Sequence, residues 1–161
     1  MNSLEFAIQI ETDGSKYYSE QAQVNKGTSL SKIFLILAEQ EKEHLEILWN
    51  IAEMDFSKLP DNSNLIKTRS IFAGMENFKD EIRDNPSQVE VYEAGLEMEQ
   101  KSVDLYKKLK AEAGSDKDKA ILQYFVDQET VHFEILDELV TRIRRPDEWV
   151  ESAEFGARED Y

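Results

Sequence analysis

Residues 40–48 read QEKEHLEIL, and residues 128–136 read QETVHFEIL. The two segments hold both histidines of the chain, His44 and His132, each three residues after a glutamate, Glu41 and Glu129. Residues three apart share a helix face, so each glutamate stands beside its histidine if the segments are helical. Displacing the sequence by 88 residues extends the match without a gap. Glu11 then falls on Glu99, Tyr18 on Tyr106, Gln40 on Gln128 and Glu46 on Glu134. Apolar positions agree in kind, Phe34 with Leu122, Leu37 with Phe125, Leu45 with Phe133 and Ile51 with Leu139. The chain reads as two related halves.

Helical periodicity marks four long segments, at about 2–24, 29–54, 87–113 and 116–144. Asn2 with Glu5, and Ser87 with Glu90, have the spacing of capping boxes. Arg142, Arg144 and Arg145 suit the C-terminal dipole of the last segment, and Pro146 stops it. Short loops at Asn25-Lys26-Gly27-Thr28 and near Gly114 make two antiparallel hairpins. The connection over 55–86, with a weaker helical pattern around 65–78, is long enough to cross a bundle, so the second and third helices are free to run parallel. The expected fold is all-α: a four-helix bundle of two related helical hairpins joined by a long crossover. It occupies 1–145, and an acidic tail follows over 146–161, where Trp149, Val150 and Phe155 suggest docking onto a body or partner.

Composition narrows the function. A chain of 161 residues suits one domain with a real core. Its formal charge of −15 argues against nucleic acid as a partner, because a phosphate backbone calls for a basic surface. No segment is apolar enough to span a membrane, and the N-terminus shows no secretory signal, so the expected location is the cytoplasm. With no cysteine, disulfides, thiolate metal sites and a rubredoxin-type iron centre are excluded within these residues.

The polar residues on the helix faces carry the chemistry. At about 100° per residue, the second helix buries Phe34, Leu37, Ala38, Leu45, Leu48 and Ile51, with Glu41 and His44 inside that stripe. The fourth repeats this with Leu122, Phe125, Val126, Phe133, Leu136 and Leu139 around Glu129 and His132. The first helix presents Leu4, Ala7, Ile8, Glu11 and Tyr18, and the third Tyr92, Leu96, Glu99, Val103 and Tyr106. Each helix thus turns one carboxylate into the core. Unpaired, such groups would cost several kcal/mol apiece or take up protons, and no lysine or arginine stands at their level. Metal ions would neutralise them, and carboxylate oxygen with imidazole nitrogen suits iron, manganese or zinc. Glu39, Glu43, Glu46 and Glu134 should face away. Tyr18 and Tyr106 stand on the inward face, either as partners of a ligand carboxylate, as electron donors, or as ordinary core residues. Trp49, the methionines and the phenylalanines read as packing.

One glutamate on each of two helices plus Glu-x-x-His on each of the other two resembles the di-iron carboxylate signature of ferritin-like bundles. Within that group the chain resembles rubrerythrin-type proteins lacking the rubredoxin domain, over residues 1–145. The resemblance rests on ETDGSKYY and EQEKEH in the first half and on EMEQKSVDLY and DQETVH in the second. It implies two iron ions about 3.5–4 Å apart, manganese or mixed metals being accepted by the same ligands. Glu11 and Glu99 would be terminal ligands, Glu41 and Glu129 bridges, and His44 and His132 would bind one ion each. The implied activity is a peroxidase or oxidase acting on hydrogen peroxide or dioxygen in oxidative-stress defence. Its electrons would come from a separate reductant such as a rubredoxin.

One departure stands out. Peroxide-reducing rubrerythrins carry a further glutamate three residues after the third-helix ligand, and here that position is Ser102. Glu97 lies about 160° away and cannot replace it. The ligand set is therefore closer to bacterioferritin ferroxidase centres, which makes iron handling the alternative function. A metal-stabilised bundle without catalysis is a third. A homodimer is expected rather than a storage shell, since the tail offers no convincing fifth helix.

Overall fold

The computed structural model describes residues 3–51 and 88–144. Within them lie four helices: α1 Ser3–Val24, α2 Ser29–Trp49, α3 Gln88–Glu112 and α4 Asp116–Arg144. The capping residues Asn2 and Ser87, the connection with its weak pattern at 65–78, Arg145, Pro146 and the tail lie outside the described residues.

Local chemistry sets the helix ends. Thr28 is the N-cap of α2, its hydroxyl accepting from Ser31 N at 3.4 Å and donating to Asn25 O at 2.7 Å. Ser115 opens α4: its Oγ accepts from Asp118 N at 3.0 Å and donates to Asp118 Oδ2 at 2.7 Å. This satisfies an otherwise orphaned amide of the first turn. The second helix is shorter than its periodicity suggests. It ends at Trp49 rather than near Met54, with Asn50 as C-cap. The backbone of Asn50 turns out of the helix (φ −102°, ψ 10°) after its N–H makes the last helical bond to Glu46 O (3.1 Å), which its side-chain amide also reaches (2.8 Å). At the far end of α4, Arg142 pairs with Glu138, and Arg144 reaches Glu93 on α3.

α1 packs on α2 and α3 on α4 as hairpins, and α1 also touches α3. Leu4 of α1, Leu48 of α2 with Ile51 just beyond it, Leu109 of α3 and Leu122 of α4 meet around one pocket at one end of the bundle. At the other end Tyr92 donates to Asn25 Oδ1 at 3.5 Å, and Tyr17 donates to Val91 O at 3.0 Å. Hence α2 and α3 run parallel. Gly95 allows the α1–α3 contact: a Cβ there would stand 2.4 Å from the Tyr17 hydroxyl.

Two apolar clusters form the core. One gathers Tyr18, Leu30, Ile33, Phe34, Leu37, Tyr92, Ile135, Leu136 and Leu139; the other gathers Ala7, Ile47, Leu48, Tyr106, Ile121, Tyr124 and Phe125. Some expected core positions lie further out. Leu4 is 40 % exposed near the start of α1, and Trp49 is 63 % exposed, on the outer side of the last turn of α2. Phe6 is also exposed. Among the described residues, no helix is long and apolar enough to cross a membrane.

Candidate metal centre

Between the two apolar clusters lies a polar layer. Glu11 on α1, Glu41 and His44 on α2, Glu99 on α3, and Glu129 and His132 on α4 are all buried. The helical period brings each to the bundle axis, and the 30-residue interval within each half brings the two helices of a hairpin level. All six residues read from the sequence come together. Their donor atoms form two overlapping sets: Glu11, Glu41, His44 and Glu129, and Glu41, Glu99, Glu129 and His132. Within each set the atoms lie within 4.8 Å of one another. Glu41 and Glu129 belong to both, so two ions held here would share them.

Both imidazoles turn Nδ1 towards the carboxylates. His44 Nδ1 is 3.0 Å from Glu11 Oε2, 2.9 Å from Glu129 Oε1 and 3.5 Å from Glu41 Oε2. His132 Nδ1 is 2.8 Å from Glu41 Oε1, 3.6 Å from Glu129 Oε2 and 3.8 Å from Glu99 Oε1. The rings lie 5.7 Å apart and nearly parallel. The tyrosines cross over: Tyr18 of the first hairpin donates to Glu99 of the second, and Tyr106 of the second donates to Glu11 of the first. Each tyrosine is thus a hydrogen-bond partner of a cage carboxylate.

Burial dominates the electrostatics. It raises Glu129 to about 8, helped by Glu11 and Glu41, and lifts Glu41 and Glu99 well above the ordinary carboxylate value. Burial also raises Glu11, but the hydrogen bond from Glu41 and the His44 imidazole more than offset it and leave Glu11 low. The histidines split. His132 is pushed down to about 4 by burial, whereas Glu129 and Glu11 overcome burial and hold His44 well above its ordinary value. Tyr18 and Tyr106 are raised by burial and by neighbouring carboxylates. Without other cations, protons must hold four carboxylates together.

The donor set fits a metal pair. Glu99 Oε2 is buried and has no hydrogen-bond partner among the described residues, while Glu129 Oε1 faces the His44 imidazole at 2.9 Å. An unpartnered oxygen of this kind costs about 1–3 kcal/mol, and a cation bound beside Glu99 would remove that penalty. Oxygen and imidazole nitrogen suit iron or manganese.

The outward carboxylates behave as read: Glu39, Glu43, Glu46, Glu97 and Glu134 are exposed. Ser102 is buried, and its hydroxyl donates to Met98 O at 3.2 Å, away from the six cage residues. The residue related to it by the 88-residue displacement is Gly14, where a Cβ would lie 3.2 Å from Glu41 Cδ. Glycine leaves Glu41 its room. Neither helix therefore brings a fifth carboxylate.

Two residues escaped notice as functional. Gln40 Oε1 is 2.8 Å from His132 Nε2, and Gln128 Oε1 is 3.3 Å from His44 Nε2. The signal was present, because the same amide recurs one turn before each histidine.

No curated protein and no solved structure matches the chain. A family model described as Rubrerythrin matches residues 2–140, and on that match the chain belongs to the rubrerythrin family.

Proposed function

We propose that Glu11, Glu41, His44, Glu99, Glu129 and His132 hold two iron ions, and that the protein reduces hydrogen peroxide or dioxygen with electrons from a separate donor such as a rubredoxin. The observation carrying this reading is the pair of overlapping donor sets that share Glu41 and Glu129. A metal pair bound there supplies two electrons together to an O–O bond. The chain's own residues do the rest. Tyr18 and Tyr106 orient Glu99 and Glu11 through their hydroxyls, while Phe34 and Phe125 pack on those tyrosines with ring centroids 6.1 and 4.6 Å apart. The apolar clusters on both sides keep bulk water from the layer. The proposed setting is the cytoplasm, with the protein as a homodimer in oxidative-stress defence.

A second reading is iron handling with ferroxidase-like chemistry. Its support is specific: Ser102 and Gly14 leave the cage with four carboxylates, two per half.

Elemental analysis of purified protein tests the site. Two metal ions per chain are expected, and Glu41→Ala and Glu129→Ala should lose them. Fewer than one ion per chain after anaerobic loading with iron would end both readings. The readings part on turnover. Sustained peroxide consumption with reduced rubredoxin supports the first, and oxidation of added ferrous iron without it supports the second. Bound metal with neither activity would leave a metal-stabilised bundle.

A further inference from the structure

The polar layer also contains two buried side-chain amides, those of Gln40 and Gln128. Each stands one turn before the histidine of its own helix, yet its amide oxygen reaches the histidine of the other hairpin. Gln40 on α2 meets His132 on α4 at 2.8 Å, and Gln128 on α4 meets His44 on α2 at 3.3 Å. In both cases the imidazole atom is Nε2. A carbonyl oxygen only accepts, so each contact requires a proton on Nε2.

We propose that Gln40 and Gln128 are positioning residues: each fixes the opposite hairpin's histidine with its proton on Nε2, and so commits Nδ1 to the carboxylate cage. The geometry on the far side of each ring agrees. Nδ1 of His44 lies within 3.5 Å of three cage carboxylates, and Nδ1 of His132 within 3.8 Å of three. A ligating histidine generally donates its other ring N–H to a fixed acceptor, which orients the ring and selects the tautomer. The acceptor here is an amide, which adds no charge to a layer that already holds four carboxylates. Four carboxylates with two neutral imidazoles balance two divalent cations, whereas two further carboxylates at these positions would overshoot. The crossing also means that each histidine is held in place by the hairpin to which it does not belong. The assignment rests on the di-metal reading for its affinity consequence, but not for the tautomer.

The test uses full-length protein labelled with 15N-histidine and stripped of metal with a chelator. Two-bond proton–nitrogen correlation spectra near neutral pH should show a protonated Nε2 on both histidines. Gln40→Met should disturb His132 and leave His44 unchanged, and Gln128→Met should do the reverse. The acceptor-retaining Gln40→Glu should restore the His132 pattern. Titration with Mn2+ should then show a loss of about tenfold or more in affinity for the Met variants. An Nε2 without its proton on either histidine of the unsubstituted protein would overturn the proposal, whether or not any variant folds. So would a folded Gln40→Met protein whose His132 signals are unchanged, or one that disturbs His44 instead. If the crossed spectral pattern appears but the unsubstituted protein takes up no Mn2+, the positioning role stands and the di-metal reading fails.

Discussion

A single buried carboxylate shows how the layer responds to pH. Glu129 keeps its proton to about pH 8 in the folded chain, against an ordinary value of 4.5, because burial and then Glu11 and Glu41 disfavour its anion. Folding therefore takes up a proton between those values, and stability falls as pH rises through that window. Glu41 and Glu99, also raised, act in the same sense, as does His44, whose raised value favours folding most at low pH. His132 opposes them only below its ordinary 6.5, since its folded value is near 4 and unfolding takes up a proton in that interval. Between pH 6.5 and 8 the raised groups act without that opposition. The urea midpoint of chelator-treated protein should accordingly be lower at pH 8 than at pH 6.5, and a midpoint that holds or climbs would contradict the assignment. Metal uptake runs the other way, because ligands must shed protons to bind, so affinity should increase over the same interval. A further check concerns Tyr18 and Tyr106. Burial and nearby carboxylates raise both phenols, so the folded protein should show no phenolate absorbance from them at the ordinary tyrosine value of 10.

Among the elements, α1 and α3 depend on one close approach. Gly95 gives Tyr17 the space to lay its ring on α3 and donate to Val91 O, and the same ring packs edge-on against Tyr18 at 5.1 Å. Alanine at 95 would gain about 1 kcal/mol in helix propensity. It would also drive a methyl into a ring held by a hydrogen bond, an overpacking penalty of about 1–3 kcal/mol. The net expectation for Gly95→Ala is a loss of roughly 1 kcal/mol, a fall of about 2–4 °C in Tm for a chain of this size. A rise in Tm would show that Tyr17 has an alternative seat. Thr28→Ala, which removes the α2 cap, should cost about 1 kcal/mol without changing metal content.

On the scale of the whole molecule, the bundle is two apolar clusters separated by a charged sheet of side chains. Hydrophobic burial holds the ends, while the middle is held by protons or by cations. A metal pair that binds the folded chain and not the unfolded one adds stability by mass action, about 2.7 kcal/mol when free metal exceeds Kd a hundredfold. Chelation should therefore lower the melting temperature, and readdition of iron or manganese should restore it. The response should be absent in Glu41→Ala, since that glutamate belongs to both donor sets. An equal response in the variant would place the stabilising ions elsewhere.

The 88-residue repeat and the helical period were enough to determine four helices, two hairpins and the six residues of the polar layer. A buried carboxylate at a fixed place in each apolar stripe admits few explanations. The end of α2 was not legible, because the apolar pattern continues past Asn50, where the backbone leaves the helix. Nor was the exposure of Trp49, which depends on which part of the stripe a neighbouring helix covers. The tertiary structure alone decided the crossings: Tyr18 to Glu99, Tyr106 to Glu11, Gln40 to His132 and Gln128 to His44. Periodicity states which face a residue occupies on its own helix. Which side chain of another helix it meets depends on how two hairpins dock, and that is fixed by packing across the whole core.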